Sequence, residues 1–473
     1  MDNDRRFSQL GGEENAQIDD DGRPKRKGTL VTASAHIITS VIGSGVLSLP
    51  WAIAQLGWII GPVALILFAL ITLFASTLLA DCYRSPDPIT GRRNYIYMDV
   101  VKANLGGRNI QLSGIAQYIN LIGFTVGYTI TTSFSMAAIK RSYCFHRHGH
   151  SVGCHTSNNP FMITFGIIQI FISQIPNFHE LSVLSLITTT VCFLHASIGL
   201  GLSIAKVIGG PHVQTSLIGA PIGEDMSRMD KIWSTFTALG NLAFAYAFSD
   251  VLIEIQDTLR SGPPENKVMK QASFTGISIS TLFYILCGLV GYAALGNNAP
   301  GNLLAGFGFF EPFWLIDVAN LCVIIHLVGA YQICCQPVFA FIESRSRQKW
   351  PNARLINKEY QINLPNNGHF RFTHFKIIWR TIYVILATLL AMSLPFFNDF
   401  VGLLGAASFW PLTVYFPIKM HIARKNIPKP SLRWFWMQTI SAICLITSLA
   451  ATIGSVGSII KSLQTVKFFR SMS

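Results

Sequence analysis

Three ionisable side chains and two interrupted apolar runs hold the chemistry that this 473-residue chain could perform. His36 and His326 each offer an imidazole, the side chain whose unperturbed pKa of ~6.5 lies nearest working pH and so takes up or releases a proton most readily. Asp250 sits inside an apolar segment, where an acid costs ~2.5–3.5 kcal/mol on insertion scales and therefore faces a cavity or a partner. The first interrupted run is Thr39–Trp51, Thr-Ser-Val-Ile-Gly-Ser-Gly-Val-Leu-Ser-Leu-Pro-Trp, with two glycines, several hydroxyls and a proline at the middle of an apolar stretch. The second is Leu239–Asp250, Leu-Gly-Asn-Leu-Ala-Phe-Ala-Tyr-Ala-Phe-Ser-Asp. In hydrocarbon every backbone polar group needs a partner, so a helix breaks at mid-depth only where protein or a water-filled cavity satisfies the freed groups. Such breaks mark substrate and ion sites in secondary transporters.

The elements that position these residues are membrane helices. Half of the residues are hydrophobic and 12% are charged, which excludes an ordinary soluble domain. Eleven apolar segments have the length that a ~30 Å hydrocarbon core demands. They run near 29–57, 58–81, 111–139, 159–175, 181–205, 232–256, 271–294, 313–342, 377–397, 398–418 and 434–460. The expected fold is therefore an all-α polytopic membrane protein with eleven transmembrane helices, the first ten forming a five-plus-five repeat and the eleventh being extra. Five is odd, so the second block of five runs inverted relative to the first, and the broken helices 1 and 6 open the two blocks. The expected organisation is a disordered tail 1–28, repeat one at 29–206, an outside linker and hinge at 207–230, repeat two at 231–424, and helix 11 with an outside C-terminus at 425–473.

The net charge of +13 is a topology signal, not a nucleic-acid footprint. About three quarters of the Lys and Arg fall in the tail and in the connections on the same side as it, which predicts a cytosolic N-terminus and an extracellular C-terminus. The polar first 28 residues lack the pattern of a cleavable signal peptide, so the first span is expected to act as the targeting anchor. Cys144 and Cys154 share one outside loop, an oxidising setting that predicts a disulfide. The four histidines around them (His146, His148, His150, His155) suggest zinc, but oxidised cysteines are not ligands and the ligand spacing is wrong. The remaining seven cysteines lie in or beside spans and read as packing residues. Residues 85–109 carry a helix-like apolar spacing expected of an interfacial helix. Asp250, Glu254 and Asp257 at i, i+4 and i+7 read as one face of a helix, with the latter two in a solvated inner vestibule. Asn120 and Tyr128, in a third span rich in Gly and Thr, could line a cavity. His195 in the fifth span reads as a hydrogen-bonded packing residue.

A set of strings in fixed order resembles the plant amino acid permeases of the amino acid/auxin permease superfamily. They are Gly28–His36, Val41–Trp58, Asp81-Cys-Tyr-Arg84, the Cys144/Cys154 loop ending in Asn159-Pro160, Ile175–Phe178, Ala243–Tyr246, Leu252–Thr258, Pro263–Asn266 and Tyr284–Gly288. The resemblance spans roughly residues 28–461. It implies a fold similar to the bacterial leucine transporter and proton-coupled import of amino acids across the plasma membrane, with a range that is broad over neutral substrates and extends to acidic ones. At two places the chain departs from the family's pattern: Asn241 stands where many members carry an acid, and Asp250 where they carry a small or apolar residue.

An α-amino acid brings one carboxylate and one ammonium. Half-helix N-termini suit the carboxylate, and freed carbonyls at half-helix C-termini suit the ammonium. Ser44, Gly45 and Val46 are the candidate carboxylate site through backbone N–H. Ile42 and Gly43, with Leu242, Ala243 and Phe244, are the candidate carbonyl donors. Asn241 belongs to the same candidate substrate site, and Phe244, Tyr246 and Phe248 could shape the side-chain pocket. His36, His326 and Asp250 are the candidates for proton coupling, His36 and His326 on helices that pack together near a sodium site in the leucine-transporter fold. No cofactor is expected beyond the co-transported proton, and the expected partners are the amino acid, the proton and the bilayer. The same fold could instead carry auxin, GABA or cationic amino acids, or sense amino acids without flux. No phosphate loop, nucleophile elbow or cofactor fingerprint supports an enzyme.

Overall fold

The computed structural model describes residues 19, 25–149, 153–175, 182–210, 213–222, 226–307, 312–364, 368–394 and 396–465. Expectations for the rest of the tail, the 176–180 connection and the end of the chain lie outside these residues. Helix α1, Leu30–Val41, starts in a capping box in which Thr29 and Thr32 exchange side chain and backbone bonds. It stops at Ile42, and the chain resumes as a 3₁₀ turn Ser44–Ser48 leading into α2, Leu49–Asp81. Pro50 stands in the first turn of α2, where a missing N–H is harmless. Gly57 inside α2 has φ +82 and a non-helical ψ, and marks the corner between the first two expected spans.

The following elements are α3 Tyr97–Asn104, α4 Arg108–His148, α5 Asn159–Ile172, α6 Ser182–Ile208, α7 Arg228–Ala245, α8 Leu252–Asp257, α9 Glu265–Leu295, α10 Phe313–Lys349, α11 His374–Ser393, α12 Phe397–Ser408, α13 Phe416–Arg424 and α14 Leu432–Thr465. A π-helical segment, Phe409–Tyr415, joins α12 to α13. The strands are β1 Arg84–Ser85 paired with β2 Arg92–Arg93, and β3 Tyr360–Leu364 paired antiparallel with β4 Gly368–Phe372. Helix falls on all eleven expected segments. By length and apolar composition, eight helices among the described residues could cross a membrane, and one of these, Gly45–Asp81, holds most of the first two segments. Helices α1 and α5 are shorter apolar pieces.

Several expectations are corrected. The helix near residue 100 exists and packs one face on the protein: Tyr97, Val100 and Val101 are buried, and the Tyr97 hydroxyl donates to Leu412 O at 2.7 Å. The connection expected as a loop after the third span is helical up to His148, where α4 ends; Cys144 on it is disulfide-bonded to Cys154. The linker is a strap, not a free hinge. Trp58 N and Ile59 N donate to Ser216 O and Leu217 O at 3.2 Å, Ala220 N donates to Ala54 O at 2.9 Å, and Ser216 N donates to the Tyr292 hydroxyl at 2.7 Å. Arg380, inside the ninth segment, is buried and held by Glu343 Oε1 at 2.9 Å and Ser173 O at 2.6 Å. The low charge of the spans is thus kept as a paired charge.

Glycine sets the closest packing. A Cβ on Gly405 of α12 would overlap Gly240 O and stand 2.5 Å from Phe244 N of α7. Small residues of this kind let membrane helices approach closely. Gly405→Val should therefore force α12 off α7, with a cost of ~2–3 kcal/mol or more for overpacking; a melting temperature of the purified protein equal to wild type would refute this contact.

Candidate functional site

The first break is made by the residues that sequence singled out. Ile42 N still donates to Ile38 O at 2.7 Å, whereas Gly43 N turns back to Val41 O at 2.7 Å, which ends the helix within one residue. The Ile42 carbonyl accepts from the buried Cys192 thiol of α6. Beyond it, the backbone of Ser44, Gly45 and Val46 opens the 3₁₀ turn, so its first N–H groups have no intrahelical acceptor. Gly45 is pressed on the other interrupted helix: a Cβ there would lie 3.2 Å from Ala245 Cα and 3.5 Å from Phe244 Cδ1. Val46 is fully buried.

The second break lies further along than expected. Leu239–Ala245 is regular helix, and the non-helical stretch is Tyr246–Val251, held by turn bonds from Ala247 N to Phe244 O (3.0 Å), Phe248 N to Tyr246 O (3.0 Å) and Val251 N to Phe248 O (3.1 Å). Ala243 O accepts weakly from Tyr246 N at 3.3 Å. Leu242 and Phe248 are buried in the core, and the Tyr246 hydroxyl points to Thr281 of α9 at 3.1 Å. Phe244 packs its ring 5.3 Å from Phe124 of α4, which stacks on Tyr128 at 5.8 Å.

One side chain joins the two breaks. The Tyr284 hydroxyl of α9 bonds to Val41 O, at the C-terminal end of α1, and at 3.0 Å to Ala245 O, at the C-terminal end of α7. A hydroxyl has one hydrogen to donate, so two buried carbonyls share it. Both half-helices thus end on one phenol. In the sequence Tyr284 stands out only as part of the Tyr284–Gly288 string, because nothing local shows that α9 passes beside both breaks.

Asn241 is not at the meeting point of the breaks. Its amide nitrogen donates to Thr237 O at 3.0 Å and across to Asn398 O at 3.1 Å, so it ties α7 to the start of α12. Asp250 is 4% exposed in the unwound stretch, and Asn120 Nδ2 of α4 donates to its Oδ2 at 2.9 Å. Asn120 also lines a cavity of about 240 Å³ between α4 and α12, with Leu112, Ile115, Ile119, Leu404 and Ser408. The expected face of three carboxylates is corrected: Asp250 precedes the six-residue α8, Glu254 is half-buried, and Asp257 accepts from the Tyr83 hydroxyl at 2.5 Å. Glu254 and Asp257 keep partial exposure, and Asp257 is paired as well.

His326 of α10 is buried beside the first break, with Nε2 3.8 Å from where a Cβ on Gly43 would lie. Its Nδ1 sits 3.3 Å from Thr188 O of α6. The ring facing it is His195, centroids 6.1 Å apart, and not His36, which is half-buried on α1 seven residues before Gly43. His36 and His326 therefore belong to different levels of the bundle, about 10 Å of helix rise apart.

On the side of the N-terminus, the chain before α1 closes over the helix ends. Gly28 N donates to Thr258 O at 3.0 Å and Arg260 N donates to Gly28 O at 3.1 Å. Arg26 reaches Asp19 at 2.7 Å, the Tyr83 hydroxyl at 3.1 Å, Ser261 at 3.2 Å and Glu265 at 2.9 Å, while Arg84 holds the same Glu265 at 2.6 Å. Burial opposes the Arg26 charge, but the bonds to Asp19 and Glu265 outweigh it and hold the guanidinium above its ordinary value. The expectation of a disordered tail is corrected for Asp19 and residues 25–28.

Residues 26–461 match the family described as transmembrane amino acid transporter protein. Amino acid permease 6 of Arabidopsis thaliana is 61% identical over 462 residues, 97% of this chain and 96% of that protein. Amino acid permease 1 of the same plant is 58% identical over 96% of this chain and 94% of its own length. The crystal structure of MhsT in complex with L-phenylalanine is similar over 92% of this chain and 100% of that one, at 11% identity and a TM-score of 0.49, too slight a likeness to carry an argument.

Proposed function

The chain belongs to the transmembrane amino acid transporter family, and on that premise we propose that it is a proton-coupled symporter importing amino acids across the plasma membrane by alternating access. Amino acid transport is what the permeases at 61% and 58% identity are named for. The observation that carries the reading to particular atoms is the meeting of the two breaks at the Tyr284 hydroxyl. Helix N-termini and freed carbonyls there offer complementary partial charges to the two groups that every α-amino acid shares. Ser44, Gly45 and Val46 would take the carboxylate, and the carbonyls around Ile42, Gly43 and Leu242–Phe244 the ammonium. Phe244, with Phe124 and Tyr128 behind it, would meet the substrate side chain, and its apolar surroundings favour a broad range of neutral substrates, with acidic ones tolerated. His326 beside Gly43 would couple the proton, with His36 and Asp250 as further titratable groups of the broken helices. The basic connections support a cytosolic N-terminus.

The test is voltage-clamped uptake in a host lacking its own carriers, at pH 5.5 and 7.5, with neutral, acidic and basic amino acids. Neutral amino acids should evoke an inward current several-fold larger at pH 5.5. Uptake without current, or current indifferent to pH, would refute proton coupling and leave amino acid transport standing.

A further inference from the structure

We infer that His195 of α6 and His326 of α10 form a dyad that holds a single proton beside the first break, with His195 as its unrecognised member. The inference rests on the proton-coupling reading above and extends it to a residue that reads from sequence as packing. Each imidazole is fixed by a main-chain carbonyl: His195 Nδ1 lies 3.0 Å from Val191 O, and His326 Nδ1 lies 3.3 Å from Thr188 O. A carbonyl only accepts, so each Nδ1 carries the hydrogen and each neutral ring presents a lone pair on Nε2. His195 is 1% exposed, and its Nε2 has no hydrogen-bond partner. His326 Nε2 lies beside Gly43, where the helix is interrupted. Two basic nitrogens are thus buried next to the one place where the α1 backbone has left its helical bonds.

The rings are 6.1 Å apart, and at that distance a second positive charge is disfavoured by about a hundredfold even with strong protein screening. The pair therefore carries one proton or none. The proton adds to an Nε2 lone pair without breaking another bond, and its departure restores the neutral ring. When it resides on His326, an N–H is directed at the break; when it resides on His195, that N–H is absent. The titratable groups placed near the dyad by their bonds or helix position are thiols and a phenol: Cys192 on α6, Cys287 and Tyr284 from α9, and Cys322 one turn before His326 on α10. On helix α1 the titratable group is His36, which lies about 10 Å of helix rise from Gly43 and does not face the pair. The described neighbours thus include no carboxylate to neutralise a second proton.

The test compares wild type with His195→Asn, whose amide can keep the bond to Val191 O, and His195→Phe, which keeps the ring volume. In both variants the proton concentration giving half-maximal substrate current should rise fivefold or more, with binding of radiolabelled amino acid at acidic pH unchanged within twofold. A wild-type pH profile in His195→Asn would overturn the dyad, whatever happens in His195→Phe. If neither variant reaches the membrane, ¹⁵N-histidine spectra of the wild-type protein in nanodiscs decide. The dyad requires two Nδ1–H rings at high pH and one imidazolium for the pair at low pH, and two independently titrating rings would overturn it. A wild type with no pH-dependent current sinks proton coupling itself, whereas a coupled wild type with an indifferent His195→Asn sinks only the dyad.

Discussion

Replacing Arg26 with alanine is expected to release the segment before α1 from the helix ends and to reduce uptake tenfold or more. The guanidinium joins Asp19, Tyr83, Ser261 and Glu265, so its loss leaves two acids from distant parts of the chain, Asp19 and Glu265, without the cation between them. Removing one partner of a buried charge pair typically costs ~3–5 kcal/mol, far above the ~0–1 kcal/mol of an exposed pair. Arg26 retains 10% side-chain exposure, and Arg84 still holds Glu265, so the lower end of that range applies. The measurement is tryptic cleavage after Lys27 in detergent-solubilised protein. Cutting there requires Gly28 to leave Thr258 and Arg260, and it should be at least tenfold faster in the variant. Equal rates would mean that the backbone bridge alone holds the segment.

Tyr284→Phe is expected to weaken substrate affinity by about tenfold and to lower the melting temperature. The phenol oxygen is the common partner of Val41 O and Ala245 O, and an unsatisfied buried carbonyl costs ~1–3 kcal/mol. The ring itself is retained, including its packing on Tyr246 at 5.4 Å, so the loss is confined to the hydroxyl. The end of α7 would loosen more than that of α1, because Val41 O still accepts from Gly43 N at 2.7 Å. Concentration dependence of uptake and a thermal melt check this; a variant with wild-type KM and melting temperature would show that the two carbonyls do not need the bridge.

The first break was legible because Gly43, Gly45 and Pro50 cluster within eight residues of an otherwise apolar helix, and each removes either side-chain support or a donor. The second was legible in kind but not in position. Gly240 and Asn241 looked like the interruption, yet Gly240 lies against Gly402 and Gly405, and Asn241 bonds to Asn398. A small or polar residue in a membrane helix signals either close packing or unwinding, and one chain alone does not separate the two. Asp250 was recognised as an intramembrane acid, but its partner Asn120 comes from a helix 130 positions earlier. His195 is illegible in the sequence for the same reason: a lone histidine acquires meaning only when α10 brings His326 to face it.

The strap at residues 213–220 gives the protein an order of assembly during synthesis. It leaves the ribosome after α6 and before α7, and its partners Ala54, Trp58 and Ile59 are by then already made. Once seated, it presents Gln214 and Ser216 to Asn297 and Tyr292, which arrive more than 70 residues afterwards. The first half of the chain thus carries a prepared landing surface for the second, and a nascent second repeat has a defined edge to dock against while its own partners are still being translated.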